Sequence, residues 1–326
     1  MSAFADYCRA DIEKLMQDDL AMIQLANTTR STCDYPSQSK FRVYAILVVE
    51  TSDGVLRMMQ GANAEQGYIG GAICAERAAL CSLRFTDKPV IKEIVVVTDS
   101  DNPLSPGALC REFLMSHAQP SVPVVMGNGT SEKITRCALG EIYPHPYLYR
   151  YQERDQLLES ATMHAIVIQK ETASAEAQRV YAAARSANSM DSLDAVHPLR
   201  FSAAVLFDDG IVEVAWQLKG LEYGCTLDPV SQLVRDMERR RFCAPCGTNG
   251  LDASAMTARP VILVCVDQFG VAHGPFAQAR SLLTEHGYGF VQVLVHDAEG
   301  ILITSTADDL LPQPPGCQLL SHDDFN

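Results

Sequence analysis

This sequence contains an internal repeat of predicted elements, which limits the folds that it can adopt. In each copy a helical segment leads into an apolar strand, 41–49 in the first copy and 201–207 in the second, and an Asp-Gly turn follows. A helix, a second apolar strand, and a proline five residues ahead of an arginine come next in both copies. These pairs are Pro106 with Arg111 and Pro275 with Arg280. Strands that alternate with helices in this order predict a three-layer α/β/α unit, so the repeat predicts two such units in tandem.

The length and composition of the chain agree with two domains. Its 326 residues suit two units of roughly 150 residues each. Hydrophobic residues make up 47% of the chain, which is enough for buried cores, and charged residues at 20% are too few for a disordered protein. We therefore expect units at about 1–150 and 151–326, joined near the polar stretch 150–160, with Phe41 and Phe201 at equivalent strand positions.

The charge and cysteine content exclude several classes of partner. A net charge of −14 argues against nucleic acid, because proteins that bind it present basic faces. No apolar run reaches the ~20 residues that span a bilayer, and the first residues lack the pattern of a secretory signal. The 11 cysteines are scattered rather than arranged as a disulfide framework. These features predict a soluble cytoplasmic protein with free thiols and neither a nucleic-acid nor a membrane partner.

Two short motifs in the first copy indicate a zinc site. Cys74 precedes Glu76 by two residues, and Cys110 lies in a later segment that begins with a proline. A Cys-x-Glu followed by Pro-Cys-x-x-Cys is the signature of zinc deaminases, although Gly107 stands where the first cysteine of the second segment is expected. A catalytic zinc needs protein ligands, an open position for water, and a carboxylate that carries protons without binding the metal. We therefore predict that Cys74 and Cys110 bind zinc and that Glu76 carries protons.

The local setting of these residues supports the same chemistry. Cys74 is predicted at the start of a helix, where the positive end of the helix dipole favours a thiolate. Arg77 follows one turn later and is expected to donate hydrogen bonds to the thiolates, which offsets their charge.

The first copy resembles cytidine deaminase over about residues 28–148. The segments that carry the resemblance are Ser39–Val43, Gly61–Glu65, Ile73–Arg77, Ser105-Pro106 with Cys110-Arg111, and Leu139–Pro144. The resemblance implies a mixed five-stranded sheet in each copy and zinc-dependent hydrolytic deamination of cytidine or deoxycytidine to the uridine product, a reaction of pyrimidine salvage. It also implies that Phe41 lies against the nucleoside and that Asn63 and Glu65 hold the ribose hydroxyls. A homodimer, with the pocket completed across a domain or subunit boundary, is implied as well.

The second copy resembles the degenerate domain of two-domain cytidine deaminases. If Asn63 is aligned with Gln217, Cys74 falls on Asp228 and Glu76 falls on Val230. Alignment of Pro106 with Pro275 sets Gly107 and Cys110 on Phe276 and Ala279. Neither a zinc ligand set nor a proton carrier is left, so a structural role is expected for this copy.

Two functions remain open on the sequence alone. The first is an active zinc hydrolase, which the presence of Glu76, Arg77, Asn63 and Glu65 favours. The second is a catalytically inactive nucleoside- or partner-binding protein, which Gly107 favours together with Tyr44, where the family usually has glycine. A separate Cys-x-x-Cys at Cys243 and Cys246 has no paired second motif, so structural thiols are favoured there over a metal or redox role.

Overall fold

The computed structural model describes residues 7–65, 67, 71–81, 83, 89–147, 149, 154–167, 174–221, 226–242, 258–297 and 299–314. Backbone contacts divide the chain into two compact units. Unit 1 consists of Met1–Tyr143 and Pro312–Asn326, and unit 2 of Pro144–Leu311. Residues 312–314, which follow unit 2 in sequence, thus belong to unit 1. The assignment of catalytic and degenerate roles to the two copies stays a prediction.

Unit 1 is built on a mixed five-stranded sheet with the order β2-β1-β3-β4-β5, in which the β3–β4 pair is parallel and the other pairs are antiparallel. Its strands are β1 (Val43–Glu50), β2 (Leu56–Ala62), β3 (Val90–Thr98), β4 (Pro123–Gly127) and β5 (Ile134–Ala138). Its helices are α1 (Arg9–Met16), α2 (Asp19–Ser31), α3 (Ala75–Cys81), α4 (Ala108–His117) and α5 (Leu139–Ile142).

Both faces of this sheet are covered, which explains the continuous apolar run of β1. All six interior residues of β1 are buried. On one face, Ile46 and Val48 pack with Ile23 of α2 in a single core cluster. On the other face α3 approaches β2 so closely that a Cβ on Gly61 would lie 2.2 Å from the carbonyl oxygen of Ala75. A residue without a side chain is therefore required there, and this contact fixes the start of α3 against the sheet.

Unit 2 repeats this plan. Its helices are α6 (Arg154–Val167), α7 (Ala175–Ala187), α8 (Pro229–Phe242) and α9 (Ala277–Glu285). Its strands are β6 (Phe201–Phe207), β7 (Val212–Trp216), β8 (Pro260–Asp267), β9 (Ala272–His273), β10 (Gln292–His296) and β11 (Leu302–Thr306). The order β11-β10-β8-β6-β7 matches that of unit 1, and the β8–β10 pair is the parallel one. The predicted fold class, two tandem α/β units with mixed sheets, is confirmed.

Three details differ from the expectations. The two-residue β9 pairs with β8 and makes the second sheet six-stranded among the described residues. The polar stretch expected to be a joint overlaps helix α6. The predicted equivalence of Phe41 and Phe201 is wrong, because Phe201 pairs with the last residue of β8 just as Val43 pairs with Thr98, the last residue of β3. The counterpart of Phe201 is therefore Val43; two apolar residues one pleat apart share a face, so the pattern alone did not separate them.

Among the described residues, no helix is both long enough and apolar enough to cross a bilayer.

Candidate functional site

A cavity of about 250 Å³ opens in unit 1 beside the start of α3. Its walls come from the end of β3, the loop ahead of α4, the segment ahead of β1, and the segment that links β2 to α3. The lining residues are Phe41, Val43, Asn63, Glu65, Ala72, Ile73, Cys74, Glu76, Val96, Thr98, Leu104, Ser105 and Gly107. The structure thus brings together Phe41, Asn63, Glu65, Cys74 and Glu76, which the sequence analysis had singled out from segments spread over more than thirty residues.

Cys74, Glu76 and Cys110 converge at this cavity. One ligand atom from each lies within 4.8 Å of the others, and this is the one such group of three metal-binding side chains among the described residues. Cys74 directly precedes α3 and Cys110 lies in the first turn of α4, so two helix starts deliver the sulfur atoms. Cys74 is exposed, while Glu76 and Cys110 are 3% and 1% exposed.

The pKa values of the two thiols are shifted in opposite directions. A hydrogen bond with Cys110, followed by one from Arg77, lowers the pKa of Cys74 to about 6. The same contact with Cys74, together with burial, raises the pKa of Cys110 well above its usual range. The pair therefore shares one proton near neutral pH, with Cys74 as the thiolate.

Glu76 lies in an environment that favours its neutral form. Burial is the main cause, and the nearby Cys74 charge adds to it, so the pKa of Glu76 is raised to about 7. A carboxyl group that titrates near neutral pH is suited both to take up and to give back a proton.

Arg77 lies next to the thiol pair. Its Nη2 donates to the Cys74 Sγ at 3.7 Å and to the Ala72 carbonyl at 3.4 Å. Its Nε is buried and has no hydrogen-bond partner among the described residues. The guanidinium therefore keeps a buried N–H donor close to the Cys74 thiolate.

Asn63 and Glu65 are held by backbone contacts at the rim. Asn63 accepts from the Val43 amide and donates to the Phe41 carbonyl, each at 2.8 Å, which fixes the segment that carries the Phe41 ring. The Glu65 Oε2 accepts from the amides of Gln38 and Ser39 at 3.0 and 2.8 Å. A hydrogen bond with the Ser39 side chain is the main cause that lowers the pKa of Glu65, and the two amide contacts add to it. Each side chain still has hydrogen-bonding capacity beyond these contacts, namely a second amide proton on Asn63 and the second carboxylate oxygen of Glu65.

Gly107 leaves open space at the edge of the cavity. A Cβ built on it would meet no atom of the described residues within 4 Å, and its φ of −60° suits any residue. The Cys74 and Cys110 sulfur atoms and a Glu76 oxygen lie within 4.8 Å of one another, which suits zinc held by two thiolates with a carboxylate beside it, and Gly107 supplies no third ligand. Tyr44, the other departure from the family pattern, lies in the core cluster on the opposite face of the sheet and does not line the cavity.

The counterpart positions in unit 2 hold different chemistry. The bridge between Leu218 and Leu227 repeats the one between Ala64 and Ile73, which confirms the alignment of Cys74 with Asp228. Both carboxylate oxygens of Asp228 serve the start of α8: Oδ1 accepts from the amides of Val230 and Ser231 at 3.0 Å, and Oδ2 accepts from the Ser231 hydroxyl. The residue that replaces the thiolate is thus a helix cap.

Sequence reasoning missed part of the cavity wall. Val43, Thr98, Leu104 and Ser105 line it without belonging to any chemical motif. The position of Thr98 is the signal that could have indicated this part of the wall. Thr98 is the last residue of β3, which pairs in parallel with β4, and ligands in α/β sheets bind at the carboxyl ends of such strands. Cys243 and Cys246 lie outside the described residues.

Comparison with known proteins gives consistent results. No family model matches the chain. A cytidine deaminase of Sporosarcina psychrophila is 30% identical over 118 residues, which are 36% of this chain and 78% of that protein. One of Halalkalibacterium halodurans is 32% identical over 103 residues, 31% of this chain and 75% of that protein. Among solved structures, cytidine deaminase from Burkholderia pseudomallei is 28% identical, with 39% of this chain and 97% of that chain covered and a TM-score of 0.34.

Proposed function

This chain belongs to the cytidine deaminase family, and we propose that unit 1 catalyses the zinc-dependent hydrolytic deamination of cytidine or deoxycytidine to uridine or deoxyuridine, a step of pyrimidine salvage. One observation carries the proposal: Cys74, Glu76 and Cys110 converge at a cavity whose rim holds Phe41, Asn63 and Glu65. Metal ligands and a proton carrier on one side, and a ring with polar groups on the other, suit a nucleoside.

Cys74 and Cys110 would hold the zinc. A bound zinc ion would supply water with a pKa lowered toward neutrality. Arg77 would balance the added thiolate charge through its contact with Cys74 and its orphaned Nε. Because Cys110 releases its proton reluctantly in the absence of metal, zinc affinity should rise with pH.

Glu76 would move the protons of the reaction. Hydrolytic deamination requires that a proton leave the attacking water, that a proton reach the ring nitrogen, and that the departing amine be protonated. The raised pKa of Glu76, about 7, lets one carboxyl group serve as both base and acid near neutral pH. Its burial also keeps bulk water from competing for the proton.

Phe41, Asn63 and Glu65 would select and orient the nucleoside. The Phe41 ring would lie against the bound nucleoside, and its backbone is already fixed by Asn63. The second amide proton of Asn63 and the second oxygen of Glu65 would bind the ribose hydroxyls. Since both side chains also organise the segments around them, their substitution should weaken binding by more than the ribose contacts alone.

A test of the reaction compares the wild type with Glu76→Gln in a cytidine deamination assay with zinc supplied. Glutamine keeps the hydrogen-bonding shape but carries no proton, so turnover should fall by at least about 10²–10⁴-fold while nucleoside binding, measured by calorimetry, persists. Glu132→Gln, an exposed substitution of the same chemistry, is the matched control and should leave turnover unchanged.

A second function has its own supporting observation. Gly107 removes a side chain that a three-ligand zinc site would use, and this favours a catalytically inactive protein that binds a nucleoside or a protein partner. Nucleoside binding without turnover on cytidine, deoxycytidine or cytosine would select this function and reject the enzyme.

The role of unit 2 and the state of assembly belong to the same proposal. We assign unit 2 a structural role, because Asp228 and Val230 stand at the positions of the thiolate and the proton carrier. The family resemblance supports a homodimer, the commonest symmetric assembly of soluble proteins. Sedimentation velocity at micromolar concentration should give twice the mass of one chain; a fully active monomer would contradict the dimer.

A further inference from the structure

One acidic side chain in unit 1 binds the segment that carries Phe41. Asp99 directly follows Thr98, the last residue of β3. Its Oδ2 accepts from the Arg42 backbone amide at 2.8 Å and from the Arg42 Nε at 3.2 Å, and its Oδ1 accepts from the Arg42 Nη2 at 3.2 Å. The Asp99 amide in turn donates to the Arg42 carbonyl at 3.1 Å. Asp99 thus holds both the backbone and the guanidinium of Arg42, and a two-point contact of this kind fixes orientation as well as position.

Further contacts enclose the Arg42 guanidinium. Its Nη1 donates to the Ser31 carbonyl at 3.2 Å, and its central carbon lies 3.9 Å from the centroid of the Tyr35 ring. Arg30, which is buried, forms a second ion pair with Asp99. The side chains of Arg42 and Asp99 are only 14% and 20% exposed, so salt screens their attraction less than it screens a pair on an open surface.

Arg42 lies between two residues that line the cavity. Phe41 and Val43 flank it in sequence, and both form part of the cavity wall. Asn63, which follows β2, binds the Phe41 carbonyl and the Val43 amide. Asp99 follows β3, and β1 lies between β2 and β3 in the sheet. The segment ahead of β1 is therefore fixed on one side by Asn63 and on the other side by Asp99.

Unit 2 has the backbone contact without the ion pair. Arg200 directly precedes β6 as Arg42 precedes β1. Gln268 directly follows β8 as Asp99 follows β3, and the two pairs of strands share one register. The Gln268 Oε1 accepts from the Arg200 amide at 2.8 Å, which repeats the backbone contact, whereas the Arg200 guanidinium pairs with Asp194. A neutral amide is thus sufficient for the backbone contact, and the ion pair of Arg42 with Asp99 is an addition in the unit that has the cavity.

We propose that Asp99 is a positioning residue for nucleoside binding, because through Arg42 it holds the Phe41 ring in place before a nucleoside arrives. This inference rests on the proposed nucleoside function of unit 1. A ring that is already ordered spares the complex the cost of ordering it, which for one side chain corresponds to roughly three- to tenfold in affinity. Since the ring would contact the nucleoside in the ground state and the transition state alike, the effect should fall on KM rather than on kcat.

Asp99→Asn tests the proposal on the full chain with zinc supplied. Asparagine still accepts from the Arg42 amide, as Gln268 does from the Arg200 amide, but it lacks the charge of the ion pair. We expect the Kd for cytidine, measured by calorimetry, and the KM to rise roughly three- to tenfold, with kcat and zinc content unchanged. Asp194→Asn, which removes the ion pair of Arg200 in unit 2, is the matched control and should change none of these quantities.

A double-mutant cycle shows whether Asp99 acts through Phe41. In the Phe41→Ala background there is no ring to position, so adding Asp99→Asn should weaken cytidine binding no further. An equal loss of affinity in both backgrounds would contradict action through Phe41. An unchanged Kd in Asp99→Asn alone would overturn this inference and leave the proposed function intact, whereas a wild type that binds no cytidine would overturn both.

Arg42→Gln provides a second variant that spares the rest of the network. Asp99→Asn also removes the partner of the buried Arg30, which lowers stability. Arg42→Gln keeps the pair of Arg30 with Asp99 and the backbone contact of residue 42, and it removes only the guanidinium. It should reproduce the rise in the Kd for cytidine. An unchanged Kd in Arg42→Gln would refute the assignment, because the guanidinium would then have no part in placing the ring.

Discussion

The two units share one backbone framework and differ in the side chains at the place where unit 1 has its cavity. Strand order, the parallel central pair and the buried arginine five residues after a proline are the same in both. Unit 1 leaves a cavity beside its third helix, whereas unit 2 packs the corresponding region with aromatic rings. The arginine and the sheet therefore belong to the framework, because both are present in unit 2, where the proposed zinc ligands have no counterpart.

Aromatic rings fill the region of unit 2 that corresponds to the cavity of unit 1. Phe201 stands at the position of Val43 and Phe276 at that of Gly107, and their rings meet edge to face with centroids 5.1 Å apart. Tyr147 packs against both rings. His273, two residues ahead of Pro275, contacts Phe201 and forms a buried pair with Asp267 at 3.0 Å. Small or medium residues in unit 1 thus correspond to large ones in unit 2.

The first prediction concerns the buried arginine that the two units share. Arg111 donates to the carbonyls of Pro106, Ile142, Pro312 and Gln313, and Arg280 donates to those of Pro275, Leu310, Pro144 and His145. Arg111→Met and Arg280→Met each leave four carbonyls without a charged donor, so each should lower the free energy of unfolding by about 3–5 kcal/mol. Urea denaturation checks both. Only Arg111→Met should also weaken zinc binding, since that arginine follows Cys110 in α4 and holds the loop ahead of this helix. A loss below 1 kcal/mol in either variant would mean that the arginine is not a framework element.

The second prediction concerns the ionisation of Glu76, whose counterpart Val230 cannot titrate. Its folded-state pKa of about 7 lies above the ordinary 4.5, so the neutral form stabilises the fold. That contribution is fully present below pH 4.5 and is lost as pH rises through 7; it is on the order of 3 kcal/mol. Metal-free wild type should therefore lose stability relative to Glu76→Gln between pH 4.5 and pH 8. Parallel stability curves for the two proteins would contradict the raised pKa.

The third prediction concerns the residues that distinguish the cavity of unit 1 from the packed region of unit 2. Phe276→Ala should destabilise the protein by about 3 kcal/mol, the low end for a phenylalanine truncation, because the ring is partly exposed. Gly107→Phe should change stability little but abolish nucleoside binding, since its ring would enter the cavity. Thermal denaturation and calorimetry measure the two effects. Unchanged nucleoside binding in Gly107→Phe would show that the nucleoside lies elsewhere.

The fourth prediction concerns the close contact of α3 with β2. Gly61→Ala would place a methyl group 2.2 Å from the Ala75 carbonyl and should cost about 1–3 kcal/mol as α3 shifts. Ala215, its counterpart in β7, already carries that methyl group, so Ala215→Gly should cost only about 0.5–1 kcal/mol. Equal effects in the two variants would mean that α3 and α8 approach their sheets alike.

Local sequence patterns predicted much of what the two units share and several of the positions at which they differ. The repeated order of elements gave the fold class, and short motifs gave the alignments of Cys74 with Asp228 and of Pro106 with Pro275. Functional residues that lie close together in sequence, such as Cys74 and Glu76 at the start of α3, can be recognised from the sequence alone.

Contacts between distant segments escaped prediction. The sequence contained the proline and arginine pairs, yet gave no indication that Arg111 binds Ile142 and Pro312, since nothing local ties a guanidinium to carbonyls 31 and 201 residues away. The same holds for the rings of Tyr147 and Phe276. Apolar periodicity also left a two-residue ambiguity that set Phe41, rather than Val43, against Phe201.

A metal analysis of the purified protein tests directly whether unit 1 binds zinc. We predict one zinc ion per chain in the wild type and in Ala279→Ser of unit 2, and almost none in Cys110→Ser, its counterpart in unit 1. Zinc retained at full occupancy in Cys110→Ser, or absent from wild type supplied with excess zinc, would contradict the claim that unit 1 carries the metal site of this protein.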